Sequence, residues 1–525
     1  MPAIFLILLM TCTLFAVCTG SSLGAKAEKK VVIGASSDPE TLSPYSSLYG
    51  DRYAMLSMVY QPLVCVVGNK AYNVMITDYK EVGKNIYDCY LYKNIYDTAG
   101  NHFTAKDAVF SYKTAIDSGN FSTLNSVTSV TALNDYTIEF KCNDSLVFGQ
   151  ITTILSQVFM VTEAAYKASS DKMAVDPVGT TGYVLDQYVQ GSRVIFKKAK
   201  RAYWQKAKEG ETGYVFLYDT TKVDKVEYHF ITDSTQTVMA LKTGSIDIAN
   251  RISKTDLTML QKDKFKFYAF TGEHYTATFN CSEKSVCSNV NMRKALTYSW
   301  DTKGIISGAL DGDGEIATGL NNRYRLDYDP KYNKKAYFGY NVSLAKQYLK
   351  KYYAETGKAA NDVSITILVV NDPYLEKVAQ IMQAYIMKLG VKCKVASYDS
   401  VTRKTIRNSE QGWDIAVAKS IATEMYNVAN VDMQFNVEKG KTLAGGWIND
   451  AHLQELVIEA CATKTHSVNT MSALEDYMRD QCYVVGLIID KIHVASDKMV
   501  TKLITGPYGY VAPCACTYNW SAKKG

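Results

Sequence analysis

The stretch NHFTAKDAVFSY, Asn101–Tyr112, sets His102, Thr104, Lys106 and Asp107 within six positions, the residue types from which acid–base and nucleophilic sites are assembled. Thr104 and Asp107, however, have the spacing of a capping box, in which the threonine hydroxyl accepts a first-turn N–H and the acid reaches back to the cap. Ala108, Val109, Tyr112, Ala115 and Ile116 then recur at helical spacing. The pattern predicts a capped amphipathic helix, and nothing nearby in sequence gives His102 a catalytic partner.

Other reactive patterns fail on context. GSSLG at Gly20–Gly24 matches a nucleophile elbow, but no strand precedes it. GDGEIA at Gly312–Ala317 matches a dinucleotide fingerprint, yet Asp313 and Glu315 would repel a pyrophosphate. The same run puts Asp311, Asp313 and Glu315 at the first, third and fifth positions of a calcium loop, with Ile316 where the turn needs glycine and Asn322 where the bidentate glutamate belongs. The six histidines are scattered, and Cys514-Ala515-Cys516 lacks a second pair of ligands. No catalytic residue, metal or cofactor is expected, and the reading as an enzyme has no anchor in the sequence.

At 525 residues the chain can fill two or three cores. A formal charge of +6, without an Lys/Arg-rich run, is too mild to imply a nucleic-acid partner, and none is expected. The apolar IFLILLMTCTLFAVC, followed by Ala25 and Ala27 in A-x-A spacing, predicts a signal peptide over 1–27, although no Lys or Arg precedes Lys26. An uncleaved membrane anchor is the alternative, and FAVC at Phe15–Cys18 leaves lipid attachment at Cys18 open. The expected location is outside the cytoplasm, periplasmic or at the cell surface. Ten cysteines follow the signal, where disulfides can persist. Cys89 and Cys142, in the strand-like YDCYLY and TIEFKC, are expected to pair across a sheet; Cys281 and Cys287 could close a short loop, and Cys514 and Cys516 are too close for easy mutual bridging.

The elements that would position a site follow from periodicity and punctuation. VVIGAS at 31–36 opens as a strand, SDPETLSPYSS is turn-rich, and a helical run extends through AMLSMVYQPLV. Strands are expected at 87–93 and 137–141, with the capped helix between them. RVIFKKA and KVEYHFI bracket KRAYWQKAKEGETG, and STQTVMALKTGSIDIAN gives a helix stopped by Gly244 before a strand. From about 290 the helices NMRKALTYSW, SLAKQYLKKYYAETG and YLEKVAQIMQAYIMKLG, with the strands VSITILVV and VKCKVASY, argue an α/β domain.

Six segments in order, DPETLSP with MVYQPLV, LYKNIYDTAGNHFTAKDAVFSY, DPVGTTGYVLDQYVQGSRVIFKKAKRAYW, TVMALKTGSIDIA, NMRKALTYSWDTKGI and AQIMQAYIMKLGVKCKV, resemble the solute-binding proteins of dipeptide, oligopeptide and nickel ABC importers, solute-binding protein family 5. The resemblance spans about residues 38–395. It implies an α/β, two-lobed periplasmic-binding-protein-like fold with an extra inserted domain: lobe I from 28–63, 178–277 and 486–525, the insertion at 64–177, and lobe II at 278–485. It further implies a monomer that closes on a peptide or small polar solute and delivers it to an ABC importer permease. The alternatives are a secreted or surface sensor or adhesion protein that reuses the fold, or a binder of a metal chelate or sugar.

Peptide binders of this family place an aspartate against the ligand's ammonium group, shortly after a tryptophan-containing strand end. The similar region here, WDIAVAKSIATEMYNVANVD, lacks it at the expected distance after Lys419, and Glu424 is the nearest acid. Tyr45, Tyr49 and Tyr53 follow the loop that faces the cleft in relatives, with Tyr426 and Trp447 as candidates from the second lobe; phenols and indoles give flat apolar contact with a polar tip. Arg323 and Arg325 could clamp a carboxylate bidentately, or could be solvated surface residues.

Overall fold

The computed structural model describes residues 28–46, 50–200, 218–334, 338–420, 425–437, 447–506 and 509–522. The signal region therefore lies outside the described residues. Among those described, no helix is long and apolar enough to cross a membrane.

One eleven-stranded sheet runs through the molecule. Its strands are β1 (Lys30–Ala35), β2 (Tyr183–Val189), β3 (Arg193–Lys198), β4 (Lys225–Phe230), β5 (Ile248–Ile252), β6 (Lys266–Phe279), β7 (Gly314–Ile316), β8 (Ser364–Val370), β9 (Lys392–Tyr398), β10 (Ile415–Ser420) and β11 (Val484–Ser496). The spatial order is β2-β3-β4-β1-β5-β11-β6-β10-β8-β9, with β7 on the side of β11. At one end β4, β1 and β5 are parallel, and at the other β9, β8 and β10 are parallel. Central parallel strands are covered on both faces, which is why β1 and β8 read as near-continuous Val and Ile runs without alternation.

The long antiparallel pair β6 and β11 joins the two ends. The register is regular from Lys266↔Ser496 to Thr271↔Lys491, shifts, and resumes at His274↔Ile489. The shift is a bulge at Gly272 and Glu273 opposite Asp490, and a Cβ on Gly272 would lie 2.0 Å from the Asp490 carboxylate. Bulges bend a strand and raise its twist, so the long pair is bent locally here.

A separate antiparallel sheet, Ile76–Gly83, Ile86–Leu91, Thr137–Cys142 and Val127–Asn134 in that spatial order, carries the helix Ala105–Ser118. That helix is the capped one expected: the Asp107 carboxylate accepts from the Thr104 N–H and hydroxyl, both at 2.8 Å. His102 bonds the Lys93 carbonyl through Nε2 at 2.7 Å and stacks on Tyr96, a structural role. One core spans β1, this sheet and the C-terminal segment; a second fills the half built on β8–β10, and Val147 from the segment after the small sheet is buried in it.

Two expectations are corrected. The run through AMLSMVYQPLV is helical only over Gly50–Leu56 and becomes short strands at Gln61–Pro62 and Val64–Val67. The residue before a proline is biased towards extended backbone, and Val64, Val66 and Val67 favour strand. The disulfide expectation also fails: all ten cysteines after residue 27 are free thiols. Cys89 lies opposite Ile138, and Cys142 stands four residues further along that partner strand. At about 3.3 Å per residue this exceeds what a disulfide spans. Cys281 and Cys287 likewise do not pair.

Candidate functional site

Side chains alternate across a strand, so the crossing strands present two different faces. Register pairs align Ser420, His274, Ile489 and Glu315 in one row across β10, β6, β11 and β7. The adjacent row is Lys419, Tyr275, Ile488 and Ile316, which therefore points the opposite way.

On the Lys419 side lies a cavity of about 210 Å³, lined among others by Glu273, Tyr275, Asp313, Lys419, Asp490 and His493. Lys419, Asp490 and Asp313 each have partners within the protein. The Lys419 ammonium is 3.1 Å from Glu273 and 3.0 Å from Asp372, the residue that caps the helix Pro373–Lys388. Burial pulls the lysine pKa down, but the two carboxylates outweigh it and leave it raised. The Glu273 N–H and the Tyr275 hydroxyl donate to Asp490 at 2.5 and 3.1 Å. Burial, with a contribution from Glu273, still pushes the Asp490 pKa up to about 6. His493 bonds Asp313, and Thr255 donates to Asp311 at 2.9 Å. Asp311, Asp313 and Glu315 thus hold three different partners and do not converge as a calcium loop.

The His274 side is different. The histidine is buried, and its Nε2 has no hydrogen-bond partner. Burial, and then the charge of Arg323, push its pKa down to about 4, so the ring is neutral near pH 7. Arg323 donates through Nη2 to the Ile316 carbonyl and stands 3.8 Å from Glu315, while its Nε is buried without a partner. The loop carrying Arg323 is fixed from below. Glu475 accepts from the N–H groups of Leu320 and Asn321 at 2.8 and 3.2 Å, and the Asn427 side chain accepts from Asn322 N–H at 2.8 Å. Asp327 in turn accepts from Asn427 N–H at 2.8 Å.

Contacts from the 64–177 segment bridge to the second half. The Asn69 amide donates to the Tyr324 carbonyl at 2.5 Å, and Arg325 reaches back to Asn69 at 3.5 Å. The Phe148 N–H donates to the Cys461 carbonyl at 3.0 Å; its ring stacks on His466 at 4.1 Å and meets Tyr426 edge-on at 5.0 Å. Gly149 is left-handed, and any Cβ there would sit 2.6 Å from the Tyr426 ring, so the close approach requires glycine.

The residues expected from sequence do not gather in one place. Tyr45 is buried in the first core against the Tyr166 ring, and Tyr53 is buried against Phe159. Tyr426 lies at the Phe148 bridge, and Trp447 packs beside the cluster of Leu368, Trp413 and Ala416. Tyr49 and Glu424 lie outside the described residues. Sequence reasoning missed His274 altogether. Its one signal is a histidine opening the strand run HYTATF, on the face otherwise taken by threonines.

A family model for bacterial extracellular solute-binding proteins, family 5, matches residues 71–440. The chain belongs to this family. It is 25% identical over 394 residues to the glutathione-binding protein GsiB of Escherichia coli, covering 72% of this chain and 71% of that protein. Among solved structures it is similar to the ABC transporter substrate-binding protein CtaP of Listeria monocytogenes, with a TM-score of 0.77 at 18% identity over 94% of this chain and 100% of that one. NikA of Brucella suis, solved with Fe(III)-EDTA, superposes with a TM-score of 0.77 at 16% identity, with 94% and 100% covered. These likenesses carry the two-lobed binding-protein fold. Members of this family are extracellular solute-binding proteins.

Proposed function

We propose that this chain captures a peptide or peptide-like solute between its two lobes and presents it to the permease of an ABC importer, without chemical change to the solute. The observation that carries the reading is the pair of bridges, Asn69 to Tyr324 and Phe148 to His466 and Tyr426, by which the 64–177 segment reaches the second half of the molecule. A closed form of this kind couples binding to a shape that a membrane partner can recognise. The glutathione-binding relative supports a peptide-like ligand.

In this reading lobe I comprises 28–63, 178–277 and 486–525, the insertion 64–177, and lobe II 278–485. The bulge at Gly272 and Glu273 opposite Asp490 supports a hinge close to those boundaries. Residues 1–27 direct export, the mature protein is a monomer, and Glu424 takes the ammonium group of the ligand, with Tyr49 a further candidate for contact with the ligand.

Native mass spectrometry of gently purified protein should reveal a bound solute of peptide-like mass. Adding that solute at a hundredfold excess over its dissociation constant should stabilise the protein by about 2.7 kcal/mol. A protein that is always empty, with a melting temperature no peptide mixture raises, overturns the reading.

A further inference from the structure

We infer that the cavity between the lobes admits only a small solute, no larger than the smallest dipeptides, and that Tyr374, held in place beside Lys419, sets this limit. The inference rests on the proposed capture of a peptide-like solute between two lobes and names the size class of that solute.

With the lobes bounded as proposed, the cavity of about 210 Å³ takes its lining from both: Arg251 and Lys254 from lobe I, and Asp311, Tyr374 and Lys419 from lobe II. The lobes are joined beside it. The Lys254 ammonium donates to the Asp311 carbonyl at 3.1 Å, the Thr255 hydroxyl donates to the Asp311 carboxylate at 2.9 Å, and His493 bonds Asp313. Asp311 is the left-handed cap of the helix Thr302–Leu310, so these contacts grip the end of a regular element. They hold the lobes at the spacing that gives this volume.

The wall from lobe II is fixed as well. The Lys419 ammonium lies between Glu273 and Asp372, and stands 5.6 Å from the centre of the Tyr374 ring and 5.9 Å from that of Tyr275. Asp372 also accepts from the N–H groups of Tyr374 and Leu375, both at 3.0 Å, so lysine, cap and tyrosine are tied together. Withdrawing Lys419 would leave two carboxylates without their cation, and the side chain does not yield to a longer ligand. Its part in recognition is to occupy space.

The volume then sets the size. An apolar cavity of about 150 Å³ holds benzene. In proportion, about 210 Å³ takes about eight to ten non-hydrogen atoms. Sites that enclose larger ligands usually span about 300–1,000 Å³. A single amino acid or glycylglycine meets the limit, and triglycine exceeds it. The lining carries both signs, Arg251 and Lys491 with Asp313 and Asp490, which suits a zwitterionic solute.

The test is calorimetric titration of wild-type protein with glycylglycine and with triglycine. Wild type should bind glycylglycine at least about tenfold more tightly, the cost of forcing further atoms into packed space. Tyr374 is 43% exposed, so Tyr374→Ala leaves the core intact. It should tighten triglycine and narrow the difference to about twofold. Tyr374→Leu is the milder variant to use if melting curves show that Tyr374→Ala does not fold. Triglycine bound by wild type as tightly as glycylglycine overturns the limit while leaving peptide capture intact, and a difference unchanged in the Tyr374 variant overturns the role given to that ring. If wild type binds neither peptide, the solute recovered from native protein decides: fewer than about a dozen non-hydrogen atoms upholds the limit and more overturns it. A protein that stays empty and binds no peptide overturns the capture reading, and the limit with it.

Discussion

On one face of the crossing strands Lys419 has carboxylates at 3.0 and 3.1 Å, and Asp490 accepts from a backbone amide and a phenol; on the other, Nε2 of His274, one residue from both Glu273 and Tyr275, and Nε of Arg323 are buried without a hydrogen-bond partner. The cavity of about 210 Å³ lies on the first face. A charge already matched by the protein has little left to offer a ligand, whereas a buried donor without a partner gains a full interaction when one arrives. The matched contacts therefore carry stability in the empty protein, and the unmatched groups do not.

The strongest way to break that division is Lys419→Met. Removing the ammonium leaves Glu273 and Asp372 without their cation in a largely buried setting, where losing one partner is expensive. The unfolding free energy in urea should fall by about 3 kcal/mol. His274→Leu should cost less than about 1 kcal/mol, since it removes a group that is unsatisfied in the empty protein. Equal losses on the two faces would mean that both are structural.

A smaller effect separates the faces by pH. The pKa of Asp490 is about 6 against an ordinary 3.8, so the folded state holds its proton more tightly than the unfolded chain does. Its contribution therefore favours folding fully below pH 3.8 and is lost as pH rises through about 6. Asp490→Asn should remove this slope and gain about 2 kcal/mol relative to wild type between pH 4 and pH 7. Urea unfolding at those two pH values checks it, and an unchanged difference would show that Asp490 does not govern the hinge region's response.

Much of this architecture is legible in the sequence, because it depends on local signals. The Thr104 and Asp107 cap, the left-handed stop at Gly244 and the apolar runs of β1 and β8 are each set by residues within a few positions of one another. The site is not legible in the same way. His274 acquires its character from burial and then from Arg323, 49 positions later, whose loop is held by Glu475 and Asn427 from further still. Tyr45 and Tyr53 illustrate the converse. Their position in the chain suggested a cleft, but a phenol packs as readily in a core, and both rings found aromatic neighbours there. The cysteine pairing failed because the strand identities alone do not fix which residues face each other; only the register does.

The finest distinction concerns the bridge at Phe148, because it separates closure from binding. Its ring stacks on His466 and meets Tyr426 edge-on, while the neighbouring Val147 sits in the core of the second half. Phe148→Ala keeps the backbone bond to Cys461 and the Val147 anchor but removes the aromatic pairs, worth about 1 kcal/mol. That amount acts on the equilibrium between open and closed lobes, so it should appear as about a fivefold loss of affinity for every ligand, whatever its length. Small-angle scattering should report a larger radius of gyration for the ligand-free variant and the wild-type radius once ligand is saturating. Tyr374→Ala should do the reverse, changing the preference between ligands and leaving the free protein's dimensions as they were. If Phe148→Ala instead alters the preference between glycylglycine and triglycine, then this bridge touches the solute itself, and the boundary between the part that closes and the part that reads must be drawn further towards the insertion.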